Sequence, residues 1–204
     1  MRLSCNMSGS FVGVKESILE AGIALLESKG IAALTQPQVA GAAGVKQSHL
    51  TYYFPTRTDL LLAIAERWVT QAMEALSARV GEKPEFATLS ARLAETMIVG
   101  EPARAIIGLI VAADAEPRIR HTLRHLDGVI RAHFKGILAR AGLPASDDDA
   151  LLLHATAVGL AVMHQSRLEA ESAVEFKAGI NALLRHLATL PPRVGKSRRT
   201  GSAE

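Results

Sequence analysis

Side chains suited to binding nucleic acid are concentrated in one short stretch, Lys46 to Tyr53. At about 100° per residue, a helix over this stretch places Ser48 and Tyr52 opposite Leu50, with His49 on the flank. Hydroxyl, phenol and imidazole groups of this kind form hydrogen bonds with base edges and phosphates. The spacing therefore predicts a face that recognises DNA.

A second group with chemical potential is the pair His121 and His125, four residues apart. Two imidazoles at this spacing share one helix face and can hold a metal, but Thr122 stands where a hydrolase of the H-E-x-x-H type has its Glu. Both residues also flank an apolar stripe, which favours half-exposed positions without a metal. The sequence has no Gly-rich phosphate loop, G-x-S-x-G motif or cysteine pair. We therefore predict neither catalysis nor a cofactor.

The DNA-contacting stretch must be positioned by the helix before it, and local signals define that helix. Thr35 and Gln38 are spaced as a capping box, and Pro37 fits the first turn, where its missing N–H costs nothing. Gly44 is suited to the left-handed conformation that ends a helix. These signals predict a helix of about two turns followed by a tight turn.

The end of the stretch is defined in the same way. Leu50 and Phe54 have helical spacing and should pack inward, and Pro55 ends the helix. Thr56 and Asp59 form a second capping-box pattern at the start of a long following helix. The whole segment is predicted to be a helix-turn-helix.

An amphipathic helix, then V-A-x-x-A-G-V, a short polar helix, Y-Y-F-P-x-R and D-L-L resemble the N-terminal domain of the TetR family of bacterial transcriptional repressors, from about Ile18 to Leu62. The chain departs from the family pattern at Lys46, where Ser or Thr is common, at Thr51, which replaces a Tyr, and at Tyr53, which replaces a frequent His. The first departure predicts a weaker cap. The other two predict altered phosphate contacts.

Arg57 stands where the family usually has Lys, in the first turn of the long helix, a position from which it can bind a backbone phosphate. The residues that we expect to contact DNA are Thr35, Gln36, Lys46, Gln47, Ser48, His49, Thr51, Tyr52, Tyr53 and Arg57.

The rest of the chain predicts helices and no strand, giving an all-α fold of about nine helices. Besides the three near the DNA-contacting stretch, the expected helices are Phe11 to Lys29, Phe86 to Val99, Pro102 to Ala113, Pro117 to Ala141, Ser146 to Leu168 and Ser172 to Leu190. We expect a DNA-binding domain over 1–55, a C-terminal helical bundle over 56–190 that binds ligand and dimerises, and a disordered basic tail over 191–204.

The last two predicted helices carry features of a self-association surface. The final helix has an apolar stripe of Phe176, Ile180, Leu183, Leu184, Leu187 and Leu190. The helix before it has the small residues Ala155, Ala157, Gly159 and Ala161, which permit close approach. These stripes either fill the core of one chain or face a partner. The family resemblance implies the second, a homodimer held by a four-helix bundle.

The resemblance also implies an effector pocket between the middle helices. Residues expected to line it are Met97, Ile98, Leu109, Leu126, Phe134, Met163 and His164. Apolar residues at such spacing also occur in an ordinary core.

The formal net charge of +3 is carried entirely by the tail, whose four basic residues and one acidic residue leave a neutral body. Specific binding must therefore depend on local geometry and a few phosphate contacts. No apolar run reaches the length of a membrane span, the first residues lack the apolar core of a secretion signal, and Cys5 is the single cysteine. A cytoplasmic protein is expected.

Together these features predict a repressor that binds a palindromic DNA operator as a dimer and is released by a small-molecule effector. The alternative is a helical small-molecule-binding or interaction protein whose DNA-binding motif is vestigial.

Overall fold

The structure is a computed structural model that describes residues 13–98 and 102–190. Over these residues it contains nine α-helices, a short 3-10 helix at Ile31–Ala33 and no strand, which confirms the predicted fold class. The helices are α1 Val14–Lys29, α2 Gln36–Ala42, α3 Gln47–Tyr53, α4 Arg57–Val80, α5 Phe86–Ile98, α6 Pro102–Ala115, α7 Pro117–Arg140, α8 Asp147–Arg167 and α9 Ala170–Thr189. The predicted tail, Cys5, the first residues of the predicted first helix and Val99 lie outside the described residues.

The chain divides into two compact units, the first ending at Arg67 and the second beginning at Trp68. The expected division at 55/56 falls twelve residues earlier, because the first three turns of α4 pack with α1. The side chain of Ile64 lies against Gly22, where an added Cβ would be 2.3 Å from its Cδ1. Arg67 Nε lies 3.3 Å from Glu20 Oε1.

The first unit has a small apolar core that fixes the position of α3. Ile18 of α1, Val39 of α2 and Leu60 of α4 are fully buried, as is Leu50 of α3. Burying one apolar side chain of this size stabilises the folded state by about 1.5–3 kcal/mol. The core therefore holds the short α3 against its neighbours.

The second unit is a helical bundle in which α8 packs against α7 and α9, and α9 packs against α5. A capping box of Ser146 and Asp149 begins α8, with Ser146 Oγ accepting from the Asp149 amide. Leu168 ends it in the left-handed region, at φ 55°. None of the helices in the described ranges combines the length and apolar character needed to span a bilayer.

The predicted partner-facing stripe on α9 lies mostly inside the single chain. Phe176, Ile180, Leu184 and Leu187 are all essentially inaccessible. On α8 the small residues divide between two faces, Ala157 and Ala161 being buried and Ala155 and Gly159 exposed. The sequence pattern of an apolar stripe is the same whether the stripe packs in the core of its own chain or against a second copy. The sequence alone therefore does not distinguish these two interpretations.

Candidate DNA-contacting face and effector cavity

The outward face of α3 is held by two inward anchors. Leu50 is fully buried and Phe54 nearly so, whereas Ser48 and His49 are exposed on the other side of the helix. Tyr52 is 80% exposed, the most exposed large hydrophobic side chain in the described part of the molecule. Its ring meets that of Tyr53 edge-on, with centroids 5.1 Å apart. Polar side chains are thus presented on a rigid helix with their ends in solvent.

The predicted signals around α2 are present, with one difference. Thr35 Oγ1 accepts a hydrogen bond from the Gln38 amide at 3.4 Å, as a helix cap should. The Gln38 side chain does not return to the Thr35 amide, which donates to Ala33 O. Oε1 of Gln38 instead accepts a hydrogen bond from Thr35 Oγ1 at 2.9 Å. Gly44 adopts φ 66° between α2 and α3, as predicted.

The start of α3 lacks a side-chain cap, as the Lys46 departure predicted. Lys46 and Gln47 are exposed, while Thr51 is half-buried and donates to Ser48 O at 3.2 Å within the helix. Downstream, the Thr56 amide donates to Asp59 Oδ2 at 3.0 Å and the Asp59 amide to Thr56 Oγ1 at 3.1 Å. The second predicted capping box is therefore complete.

Gln36 and Arg57, expected as DNA contacts, make hydrogen bonds inside the first unit. Gln36 Nε2 donates to Phe54 O at 2.8 Å and to Pro55 O at 3.2 Å, so it satisfies carbonyls at the end of α3. Arg57 Nε donates to Leu34 O at 2.9 Å and its Nη2 to Ile31 O at 3.3 Å. Gln36 thus connects the start of α2 to the end of α3, and Arg57 connects the start of α4 to the segment before α2.

In the second unit, a cavity of about 290 Å³ lies among α4, α5, α6, α7 and α8, and its lining is almost wholly apolar. Leu109, Leu126 and Phe134 line it, as expected for the pocket. Ile110 lines it as well and is 53% exposed, so the cavity reaches the surface at α6.

The other expected pocket residues do not add to this lining. Met163 is 53% exposed on α8, and His164 Nδ1 lies 2.7 Å from Ser172 Oγ, which turns it toward α9. Neither is among the residues that line the cavity. The side chains of Met97 and Ile98 lie outside the described part of the chain.

A polar group is built into the wall of this cavity. His154 of α8 places Nδ1 3.1 Å from Asp127 Oδ1, and the other carboxylate oxygen lies 2.5 Å from Arg131 Nη2. Burial lowers the pKa of His154 below its ordinary 6.5, and the nearby Asp127 carboxylate only partly opposes this. The imidazole is therefore neutral at neutral pH.

Comparison with known proteins identifies the architecture. Residues 18–64 match the family model described as bacterial regulatory proteins, tetR family. The HTH-type transcriptional regulator CymR of Pseudomonas putida is 33% identical over 142 residues, which cover 66% of this chain and 70% of that protein. The chain belongs to the TetR family. It is a DNA-binding transcriptional regulator, a class whose members are in general not enzymes.

Solved structures share the fold of this TetR-family chain. A transcriptional regulator from Rhodococcus sp. Rha1 has a TM-score of 0.69 at 18% identity and covers 86% of this chain and 98% of its own. A transcriptional regulator from Saccharomonospora viridis in complex with choline has a TM-score of 0.63 at 18% identity, covering 84% and 95%. At these identities the likeness concerns the fold alone.

Sequence reasoning missed the polar residues of the cavity in this TetR-family regulator. Leu123, Asp127, Ile130 and Phe134 repeat at helical spacing along α7 and line the cavity together. Asp127 is the polar member of this apolar stripe. An acidic residue in register with a buried stripe was the available signal. His154 carried no comparable local signal.

Proposed function

We propose that this regulator is a repressor that binds a palindromic operator as a homodimer and is released from it by a small-molecule effector. The observation that carries the proposal is the pairing of two inward anchors, Leu50 and Phe54, with the exposed Ser48 and Tyr52 on a short α3. A recognition helix needs this arrangement, because its outer side chains must be held in register with base edges.

The proposed contacts separate into two groups. The exposed residues of the first group bind base edges and phosphates; they are Lys46, immediately before α3, and Gln47, Ser48, His49 and Tyr52 of α3. Thr35, Thr51 and Tyr53 border this face and contact the backbone.

Gln36 and Arg57 act mainly as positioning residues, since their donors already bind main-chain carbonyls. Gln36 fixes the C-terminal end of α3, and Arg57 fixes the start of α4. Loss of either would move the contacting face without removing a group from it.

Dimerisation follows from the size of the contacting element. One seven-residue helix reads only a few base pairs, so specific affinity needs two half-sites. The outward faces of α8 and α9 support a homodimer through these helices: Leu152 is 45% exposed, Val174 is 68% exposed, and Ala155 and Gly159 allow close helix approach.

The cavity of the second unit is the proposed effector site. Its apolar lining with a few polar groups is typical of small-molecule pockets, although its volume lies at the small end of their range. An effector releases the operator when it binds better to the conformation that fits DNA less well. Release then requires no reaction, and we propose that the protein catalyses none.

The test is nuclease footprinting of the purified protein on DNA flanking its own gene. We expect a protected palindrome whose half-site centres are about 10 base pairs, or a multiple of that, apart. The vestigial-motif alternative predicts no protected palindrome. It is not favoured by the side-chain caps at the starts of α2 and α4 or by the buried anchors of α3. Absence of protection on its flanking DNA at low salt would overturn the proposal.

A further inference from the structure

The polar atoms that line the cavity are nearly all engaged by the protein. Thr96 Oγ1 donates to Arg92 O at 3.0 Å. The two oxygens of Asp127 are taken by His154 and Arg131. Trp68 also interacts with another part of the protein. Among the described residues, this leaves the second ring nitrogen of His154, Nε2, without a partner at the cavity wall.

The chemistry of Nε2 follows from the partner of Nδ1. A carboxylate oxygen only accepts hydrogen bonds, so Nδ1 must carry the hydrogen that lies toward Asp127. Because the buried ring is neutral, Nε2 then carries a lone pair and no hydrogen. The free polar atom at this wall is therefore a hydrogen-bond acceptor.

The charges beside the cavity cancel. The negative Asp127 Oδ2 lies 2.5 Å from Nη2 of the positive Arg131. The remaining lining is apolar apart from the groups already named. An anionic ligand would meet the Asp127 carboxylate, and no cation among the described lining residues is free to pair with it. A cationic ligand would have to compete with Arg131 for Asp127. Either would leave a charge poorly paired in an apolar site, which is costly.

We propose that the effector is an uncharged, largely apolar molecule that donates one hydrogen bond, from a hydroxyl or N–H group, to Nε2 of His154. Asp127 and Arg131 act as positioning residues that hold the acceptor tautomer. That this ligand acts as an effector rests on the proposed regulatory function. The ligand preference of the cavity does not, because it is a property of the second unit alone.

The test measures binding to the full chain without DNA, by titration calorimetry at neutral pH. Three probes of similar size separate the classes: para-cyclohexylphenol donates a hydrogen bond, para-cyclohexylanisole cannot, and para-cyclohexylbenzoate is an anion. We expect the phenol to bind at least about tenfold more tightly than either of the others, because only the phenol satisfies Nε2.

Three variants assign the preference to His154. His154→Phe keeps an aromatic ring and removes the acceptor, so the phenol should lose its advantage over the ether. His154→Gln restores an acceptor oxygen near the same place and should recover part of it. His121→Phe, a matched change at an exposed histidine of α7, should leave the preference unchanged. Thermal unfolding of each variant checks that it is folded.

The outcomes separate this inference from the regulatory proposal. Three results with protein that protects its operator would overturn the inference and leave the regulatory function standing. The ether binds with the same affinity as the phenol, the benzoate binds more tightly than the phenol, or no probe binds. A preserved phenol preference in a protein that protects no operator would support the ligand class and overturn the regulatory proposal.

Discussion

On α3, solvent exposure separates side chains whose loss should affect only DNA from those whose loss should affect folding. Tyr52 extends into solvent, whereas Leu50, two residues earlier, is fully buried. Gln36 and Arg57 belong to neither group, because each is near the surface and still holds main-chain carbonyls.

Replacing Tyr52 should weaken operator binding without affecting stability. We expect Tyr52→Ala to cost about 1–3 kcal/mol of specific binding, the value of a good base contact. The free energy of unfolding should change by less than about 0.5 kcal/mol, as for exposed sites in general. Tyr52→Phe separates the hydroxyl from the ring. Fluorescence anisotropy on operator and random duplexes measures the loss, and equal affinities for wild type and Tyr52→Ala would contradict the prediction.

Arg57 and Lys46 should differ in the kind of effect they have. Arg57→Ala should lower the free energy of unfolding by about 1–3 kcal/mol, because it leaves the carbonyl of Leu34 without its donor and removes one of the two donors to the carbonyl of Ile31. It should leave the salt dependence of DNA binding unchanged. Lys46→Ala should do the reverse, with little effect on stability and a salt slope smaller by about 1. A reduced slope for Arg57→Ala would instead assign Arg57 a phosphate contact.

The buried His154 should make stability depend on pH. Burial lowers its pKa below the ordinary 6.5, with Asp127 opposing the shift and Arg131 adding to it. The unfolded chain therefore takes up this proton first as pH falls. The stability contribution is fully present above about pH 6.5 and is lost as pH falls through the folded pKa.

We expect wild-type protein to lose more stability than His154→Phe between about pH 7 and pH 5. Trp68, the single tryptophan and a cavity residue, reports unfolding of the second unit by its fluorescence. Urea unfolding curves that shift identically in the two proteins over this range would disprove the assignment.

At the scale of elements, local rules predicted the helix-turn-helix well. Thr35, Gly44, Thr56 and Asp59 are caps and turns whose partners lie within four residues, so sequence spacing nearly determines their geometry. The carbonyls bound by Gln36 lie 18 and 19 residues away, and no local pattern contains them.

The same limit explains α9 and the cavity. Burial of Phe176 and Leu184 depends on where α8 and α5 lie, which periodicity does not specify. The pairing of His154 with Asp127 joins two helices in the same way. Periodicity predicted which helices exist, and packing decided which faces they bury.

Close packing of α1 against α4 gives an element-scale prediction. An added Cβ at Gly22 would lie 2.3 Å and 2.7 Å from Cδ1 and Cγ1 of Ile64, which is fully buried. We therefore expect Gly22→Ala to destabilise the protein by about 1–3 kcal/mol, despite the higher helix propensity of Ala.

Gly41 of α2 provides the matched control, since nothing lies within 4 Å of a Cβ built there. Gly41→Ala should stabilise the protein by about 0.5–1 kcal/mol. Thermal unfolding of both variants measures the pair. Equal stabilisation by the two substitutions would mean that α1 and α4 do not approach so closely.

At the scale of the whole molecule, the neutral body means that operator affinity depends on two symmetry-related copies of α3. With the net charge of +3 confined to the tail, non-specific attraction to DNA is weak, and one α3 offers few contacts. Linking two such helices in a dimer makes the second binding event intramolecular. Operator affinity should therefore depend steeply on the dimer.

Leu152→Lys tests this dependence. It places a charge on the outward face of α8, beside Ala155 and Gly159, and we expect a monomer at concentrations where the wild type is a dimer. Operator affinity should fall by about 100-fold, through the lost effective concentration of the second half-site. Val111→Lys adds the same charge at a side chain of α6 that is 64% exposed, and should leave both properties unchanged. Sedimentation gives the oligomeric state and anisotropy the affinity. A Leu152→Lys protein that stays dimeric would place the interface elsewhere. A monomeric Leu152→Lys protein that binds the operator as tightly as the wild type would show that operator affinity does not need the dimer.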